Sequence, residues 1–234
     1  MEAIVLAGGL GTRLRSVVSD VPKPMAKING RPFLEVLLNK LVRNNIERIV
    51  LSTGYKGNII KDYFGTEFNG VKIEYSHEDE PLGTGGAICR ALEKIVSNDF
   101  FVFNGDTFAD IPIDKFVLNE KFRNRDVIFA KVLEKNDRYG SIVVSEDGKV
   151  VDFLPKPKEI RVNDLINSGC YHLTRSLFAD CLLKNAKFSF EIDFLPIAIV
   201  KRDFFCCKYN GVFIDIGIPE DYERAQVLLK KYIQ

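Results

Sequence analysis

Apolar positions along the first half of the chain fall into short unbroken runs and longer stretches with helical spacing. Ala3 to Ala7 is a run stopped by Gly8 and Gly9, and its length and flanks predict a fully buried strand. Pro32 stands where a first helical position belongs; Phe33, Leu34, Leu37, Leu38 and Leu41 follow at helical spacing, with Asn44 and Asn45 as the stop. Arg48 to Thr53 reads as a second buried strand, Asn58 to Phe64 as a short helix and Lys72 to Ser76 as a third strand. In the stretch from Gly86 to Ile95, Ala87, Ile88, Ala91, Leu92 and Ile95 share one helical face. A fourth strand, Asp99 to Phe103, then ends at Asn104-Gly105-Asp106. Strand and helix in alternation predict a parallel sheet covered on both faces.

Beyond a helix near Asp114 to Phe122 and a strand near Val127 to Val132 the pattern changes. Ser141 to Ser145, the turn Glu146-Asp147-Gly148 and Lys149 to Leu154 read as a hairpin. A strand around Ile166 to Leu173, the segment from Glu191 to Val200, strands flanking Tyr209 and Asn210, and a closing helix from Pro219 to Tyr232 complete the chain. The second half thus adds antiparallel strands to the same sheet. The expected fold is α/β: a Rossmann-like, mixed but mostly parallel central sheet with helices on both faces and an added antiparallel part. One domain over 1–234 is expected, with no internal repeat, low-complexity tract or linker.

Composition narrows the function. The 234 residues are 46% hydrophobic, enough for a sizeable core, and 33 Lys and Arg against 32 Asp and Glu give a net charge of +1. Such a balance offers no electrostatic reason to expect nucleic acid or an anionic membrane as partner, so any anion must be gripped locally. The N-terminus, MEAIVLAGGLGTRL, fails as a signal peptide and as a membrane span, which predicts a cytoplasmic protein. Cys89, Cys170, Cys181, Cys206 and Cys207 show no CxxC spacing and read as reduced, mostly buried residues. His77 and His172 each sit beside an apolar strand and read as structural.

Leu6-Ala7-Gly8-Gly9-Leu10-Gly11-Thr12-Arg13-Leu14 follows the first strand at the carboxyl edge of a parallel sheet, where ligands bind. Glycines let backbone N–H groups approach phosphate oxygens, and Arg13 adds a charged fork. The loop is no Walker motif, because GxxxxGK[ST] is absent, and Leu14 stands where a dinucleotide fingerprint wants glycine. By itself it is equally a tight turn. In Val21-Pro22-Lys23-Pro24-Met25, two prolines hold Lys23 as a phosphate counter-charge, or merely flank a solvated lysine. Asp106 and Asp215 emerge from buried strands, and two such carboxylates suit Mg²⁺, although Asp near Gly is also common in turns.

Taken in order, Gly8 to Leu14, Pro22-Lys23-Pro24, Leu82-Gly83-Thr84-Gly85-Gly86, Gly105-Asp106, Lys156-Pro157, Asn167-Ser168-Gly169 and Asp215-Ile216-Gly217 resemble the sugar-1-phosphate nucleotidylyltransferases over nearly the whole chain. The resemblance implies a nucleotide-binding part over about 1–110 and a sugar-binding part over about 111–234. It implies that Arg13 and Lys23 are catalytic, steadying the reacting phosphates. Leu6, Ala7, Gly8, Gly9, Gly11, Thr12, Glu80, Gly83, Thr84 and Gly105 would bind the nucleotide. Tyr139, Gly140, Lys156, Asn167 and Gly169 would hold the sugar phosphate, and Asp106 and Asp215 the Mg²⁺. The family commonly has Glu before the lysine, where this chain has Pro155, so other groups must meet the sugar hydroxyls.

Guanine offers two adjacent donors where uracil and thymine offer one, so the acids of Glu78-Asp79-Glu80 lean towards GTP, unless they form a solvated loop. Within the family, the pattern resembles most the bacterial D-glycero-α-D-manno-heptose 1-phosphate guanylyltransferases, with mannose, glucose and N-acetylmuramate 1-phosphate enzymes close behind. A catalytic domain without a C-terminal repeat domain is expected. The partners implied are a nucleoside triphosphate and a sugar 1-phosphate, with homo-oligomerisation left open. Two rivals stand apart: a glycosyltransferase, which would carry a DxD element that Asp106-Thr107-Phe108 does not supply, and a non-catalytic sensor on the same fold.

Overall fold

Alternation along each buried strand decides which face of the sheet a side chain joins. In chain order the elements are β1 (Glu2–Leu6), β2 (Lys27–Ile28), β3 (Arg31–Pro32), α1 (Phe33–Arg43), β4 (Arg48–Thr53), α2 (Gly57–Phe64), β5 (Glu67–Phe68), β6 (Val71–His77), α3 (Gly83–Ala91), β7 (Asp99–Asn104), β8 (Thr107–Ala109) and α4 (Ile113–Val117). They continue as β9 (Asp126–Asn136), β10 (Ser141–Val144), β11 (Val150–Leu154), β12 (Arg161–Thr174), α5 (Leu195–Lys201), β13 (Phe204–Lys208), β14 (Phe213–Asp215) and α6 (Pro219–Leu228). This computed structural model describes residues 1–9, 11–14, 17–18, 20–179 and 186–233; Leu10 and Cys181 lie outside them.

Ten of the strands form one mixed sheet, ordered β5-β6-β4-β1-β7-β12 and continuing through β10 and β11 on one path and β9 and β13 on another. The β6, β4, β1 and β7 strands run parallel, as the strand–helix alternation requires, while β12 joins β7 antiparallel. Ala3 and Val5 point into a core covered by α1, α2 and α4; Ile4 and Val102 point into a second core under α3 and α5. A third cluster gathers Phe33, Phe108, Ile214 and Leu229 around the small antiparallel pair β8–β14, with α6 across it. The expected antiparallel addition to the sheet is present, and the separate β8–β14 pair is a feature that hydrophobic spacing did not announce.

Differences from expectation have local causes. The strands predicted at Val127 to Val132 and Ile166 to Leu173 run on as β9 and β12, where Lys135 pairs with Val162 outside the core and Glu134 and Asn163 are exposed, so that no buried apolar period marks the extension. Pro196 has no N–H to give to a preceding turn, so α5 begins beside it and Phe190–Phe194 forms a wider π-turn instead of continuing the helix. Cys89 is buried, Cys170 and Cys206 are buried thiols and Cys207 is a partly buried one. Burial pushes the Cys170 and Cys206 thiols up to about 12.

Candidate active site

The parallel strands deliver their carboxyl ends to one edge. There β1 runs into the glycine loop, and Gly105, just after β7, donates its N–H to the carbonyl of Leu6 at 2.9 Å. A cavity of about 250 Å³ opens at this edge, lined among others by Gly8, Gly9, Lys23, Glu78, Thr84 and Asp106. Two roomier hollows, of about 450 and 710 Å³, lie at the amino ends of the strands, around His172 and around Arg202. The smaller cavity is the stronger candidate, because it joins backbone N–H groups, a lysine and a strand-end aspartate at the edge where parallel sheets bind ligands.

Lys23 is held by its flanks. Pro22 has an extended backbone that opens a 3-10 turn over Lys23–Met25, and Pro24 and Met25 are buried, so the lysine projects from an anchored segment. Its ammonium lies 2.5 Å from Asp106 Oδ2 and 3.7 Å from Asp215 Oδ1. The two acids come from opposite members of the small sheet: Asp106 precedes β8, and Asp215 ends β14 opposite Thr107. Burial alone would raise Asp106, but contact with the Lys23 ammonium holds it below the usual carboxylate value. Burial raises Asp215, and the neighbouring charge of Asp106 raises it further. One lysine therefore does not fully neutralise two carboxylates at such close quarters.

Arg138 approaches the same Asp215 oxygen as Lys23, with its guanidinium 3.9 Å away, and makes its close ion pair with Asp221. The following residue, Tyr139, packs edge-on against Phe213 with ring centroids 5.1 Å apart. A break in the β9–β12 register at Asn167-Ser168-Gly169 re-aims this stretch: Gly169 takes φ +67° and donates to Asn167 Oδ1 at 3.1 Å. Asn167 N–H bonds the carbonyl of Gly140 at 2.8 Å, which draws Tyr139-Gly140 and Asn167 together. Lys156 is exposed just after β11, and its charge is felt at Glu191, a half-buried acid of the π-turn.

On the other side of the cavity, Glu78 rather than Glu80 faces inward. Glu78 is 8% exposed, accepts a hydrogen bond from Ser52 Oγ at 2.9 Å and another from Leu82 N at 2.9 Å, and so braces the start of α3. Glu80 is exposed and is not among the residues lining the cavity. Gly83 takes φ +71°, and a Cβ there would meet the carbonyl oxygen of Phe188 at 2.5 Å, so the entry to α3 requires glycine. Thr12 and Arg13 are exposed on a 3-10 turn whose Leu14 is buried in the third core; Arg13 does not line the cavity.

The sequence reading missed Arg138, Glu78 and Glu191 as individual residues. Arg138 was signalled by its place beside Tyr139-Gly140, and Glu191 by standing as an acid between apolar Phe190 and Ile192. No helix among the described residues is long and apolar enough to cross a membrane.

A glycine loop at a parallel-sheet edge, a lysine between two strand-end aspartates and a polar pocket beyond β7 define a nucleotidyltransferase, and the chain belongs to the nucleotidyl transferase family, whose model matches residues 2–231. It is 47% identical over 222 residues to the D-glycero-α-D-manno-heptose 1-phosphate guanylyltransferase of Campylobacter jejuni, covering 95% of this chain and 97% of that one. The guanylyltransferase of the same description from Aneurinibacillus thermoaerophilus is 42% identical over all of both chains. Among solved structures it is similar to HddC from Yersinia pseudotuberculosis, with a TM-score of 0.85 and 39% identity over 98% of this chain and 99% of that one. The structure of HddC complexed with GMP-PN superposes with a TM-score of 0.83, at the same identity and coverage.

Proposed function

We propose that this enzyme transfers GMP from GTP to D-glycero-α-D-manno-heptose 1-phosphate, producing GDP-heptose and pyrophosphate. The full-length likeness to two heptose 1-phosphate guanylyltransferases carries the choice of substrates. The placing of Lys23 between Asp106 and Asp215 supports the chemistry.

A phosphate oxygen of the sugar attacks the α-phosphorus in line, the bond to the bridging oxygen breaks, and pyrophosphate leaves with the electron pair. No protein nucleophile is needed; the chain's task is to position two anions and neutralise their charge. Backbone N–H groups of Gly8, Gly9 and Gly11 would cradle the triphosphate, while Leu6, Ala7, Thr12, Gly83, Thr84 and Gly105 would bound the nucleotide. Arg13 would reach the outer phosphates from its exposed turn, and Lys23 would turn from the acids to the reacting phosphate. Glu80 would contact the nucleotide from the rim, with Glu78 fixing the loop behind it.

Asp106 and Asp215 fit Mg²⁺. Both are hard oxygen donors that face the same Lys23 ammonium, and burial together with the neighbouring Asp106 charge raises Asp215, which a cation would offset. Among the described residues no third His, Cys, Asp or Glu joins them, which suits an ion completed by phosphate oxygens and water. When bound, the ion would offset charge that develops on the α-phosphate and pyrophosphate. Lys156 would hold the sugar phosphate, with Tyr139, Gly140, Asn167 and Gly169 around the sugar. On this reading the enzyme works in the cytoplasm and its product feeds surface polysaccharide synthesis.

The test is a matrix of nucleoside triphosphates against sugar 1-phosphates, read by pyrophosphate release. GTP with the heptose 1-phosphate should give the highest kcat/KM. Mannose 1-phosphate belongs in the panel, because the chain is also 33% identical to the mannose-1-phosphate guanylyltransferase of Mycobacterium tuberculosis. A higher kcat/KM with another pairing would overturn the assignment of substrates.

A further inference from the structure

Resting on the reading as a sugar-1-phosphate nucleotidyltransferase, we propose that Asn136 is a positioning residue: its buried side-chain amide sets the backbone of Tyr139, and through it the wall that the incoming sugar 1-phosphate meets.

Asn136 ends β9 and is 0% exposed. Residues Asp137 to Gly140 then turn the chain into β10, and among the described residues no backbone hydrogen bond runs between any two of them. The amide closes the turn instead. Its Oδ1 accepts Arg138 N at 3.1 Å and Tyr139 N at 2.8 Å, and its Nδ2 donates to the Tyr139 carbonyl at 2.9 Å. Both backbone polar groups of Tyr139 therefore end on one side chain. A carboxylate would lack the N–H donors and an apolar residue would lack donor and acceptor alike, so the turn needs an amide.

The amide is itself anchored. Its Nδ2 also donates to Asp164 Oδ2 on β12 at 2.6 Å, and Ser141 Oγ, at the start of β10, donates to the same oxygen at 2.5 Å. Arg161 adds a bond to Ser141 Oγ at 2.9 Å. Side chains from β9, β10 and β12 thus fix the orientation of one amide, and a buried cluster whose members satisfy one another holds a single geometry.

The neighbours of Tyr139 have supports of their own. Arg138 is paired with Asp221, and the Gly140 carbonyl accepts Asn167 N–H, while a Cβ on Gly140 would meet the Phe153 ring at 2.6 Å. Beyond the amide, Tyr139 is placed by ring contacts, with the Phe213 ring at 5.1 Å and the Arg138 guanidinium at 5.3 Å. Loss of the amide therefore frees Tyr139 more than it frees Arg138 or Gly140. The glycine loop after β1 and the entry to α3 take no bond from this cluster, so the defect falls on the sugar side and spares the nucleotide.

The experiment compares the unmodified enzyme with Asn136→Ala and Asn136→Asp, using whichever sugar 1-phosphate the unmodified enzyme prefers. Asn136→Asp keeps the size of the side chain and loses the donor, so it answers even where Asn136→Ala does not fold. Either loss predicts a rise of roughly ten- to fiftyfold in the KM for that sugar 1-phosphate, with the KM for GTP changed less than about twofold. The double variant Asn136→Asp/Asp164→Asn sets a donor opposite the new carboxylate and should recover about threefold or more of the sugar KM relative to Asn136→Asp. An unmoved sugar KM in the folded single variants overturns the proposal. So does a parallel rise in both KM values, or a double variant no better than Asn136→Asp. If the unmodified enzyme releases no pyrophosphate with any sugar 1-phosphate, the functional reading falls as well; an active enzyme with an unmoved sugar KM removes the Asn136 assignment alone.

Discussion

The Lys23 ammonium sits 2.5 Å from Asp106 and faces Asp215 from 3.7 Å, so a single cation stands between two acids drawn from strands far apart in the chain. Both acids thus face one cation; a shared Mg²⁺ would require one oxygen of each within about 4.2 Å of the other, twice the usual Mg–O distance. Lys23 faces both acids, and on the proposed reading incoming phosphates would give it a competing partner.

Asp106→Asn and Asp215→Asn should each reduce pyrophosphate release by about a thousandfold or more, at the upper end of what removing one electrostatic contact costs. The amide keeps the shape and loses the charge. Circular dichroism should show both variants folded, and in the unmodified enzyme a chelator should stop turnover and added Mg²⁺ restore it. Near-normal rates in both variants would rule out the shared ion.

The two acids should also affect stability in opposite senses with pH. Asp106 is lowered in the folded chain, so its contribution is present above the unfolded value of about 3.9 and is lost as pH falls through the folded value. Asp215 is raised, so its contribution is present below that unfolded value and is lost as pH rises through the folded one. At neutral pH the ionised Asp215 is therefore a liability without metal. Asp215→Asn should raise the thermal midpoint of the metal-free protein at pH 7, by about 2–4 °C for each kcal/mol relieved, and the gain should shrink towards pH 4. Melting curves over that range decide; a variant no more stable at pH 7 contradicts the argument.

Arg138→Ala should weaken the fold as well as the site. Asp221 is 5% exposed and would keep Arg224 at 2.5 Å but lose Arg138. A loss of roughly 1.5–3 kcal/mol is expected, the scale of a hydrogen bond to a charged group. Urea unfolding measures it, and a midpoint unchanged from the parent would show that Arg138 braces nothing.

At Gly83, an alanine would have to hold φ +71° and displace the carbonyl of Phe188. Gly83→Ala should cost about 1–3 kcal/mol in stability, the usual range for backbone strain of this kind, and raise the KM for GTP. Unchanged unfolding and an unchanged KM together would mean that the loop adapts freely.

Legibility followed the physics of each segment. Where apolar residues repeat with one period and are buried, as in Ala3 to Ala7 or Phe33 to Leu41, strand and helix could be read directly, since burial imposes the period. The polar ends of β9 and β12 could not, because their pairing leaves no apolar trace. The same division runs through the cavity. Lys23, Asp106 and Asp215 are set by a proline pair and two strand ends, which are local signals. Glu191 owes its place to Tyr171 and Asn167 on another strand, and Arg138 to Asp221 on a later helix; neither is encoded beside the residue itself.

The β8–β14 pair gives the order of synthesis a chemical meaning. A ribosome has released most of the molecule, including the phosphate cradle and the lysine, before the strand that carries Asp215 exists to lie against Thr107. A growing or prematurely stopped polypeptide would lack the second acid. If Asp215 holds the metal as proposed, such a polypeptide would have no means of spending GTP, and the chain would become a catalyst only once β14 is in place.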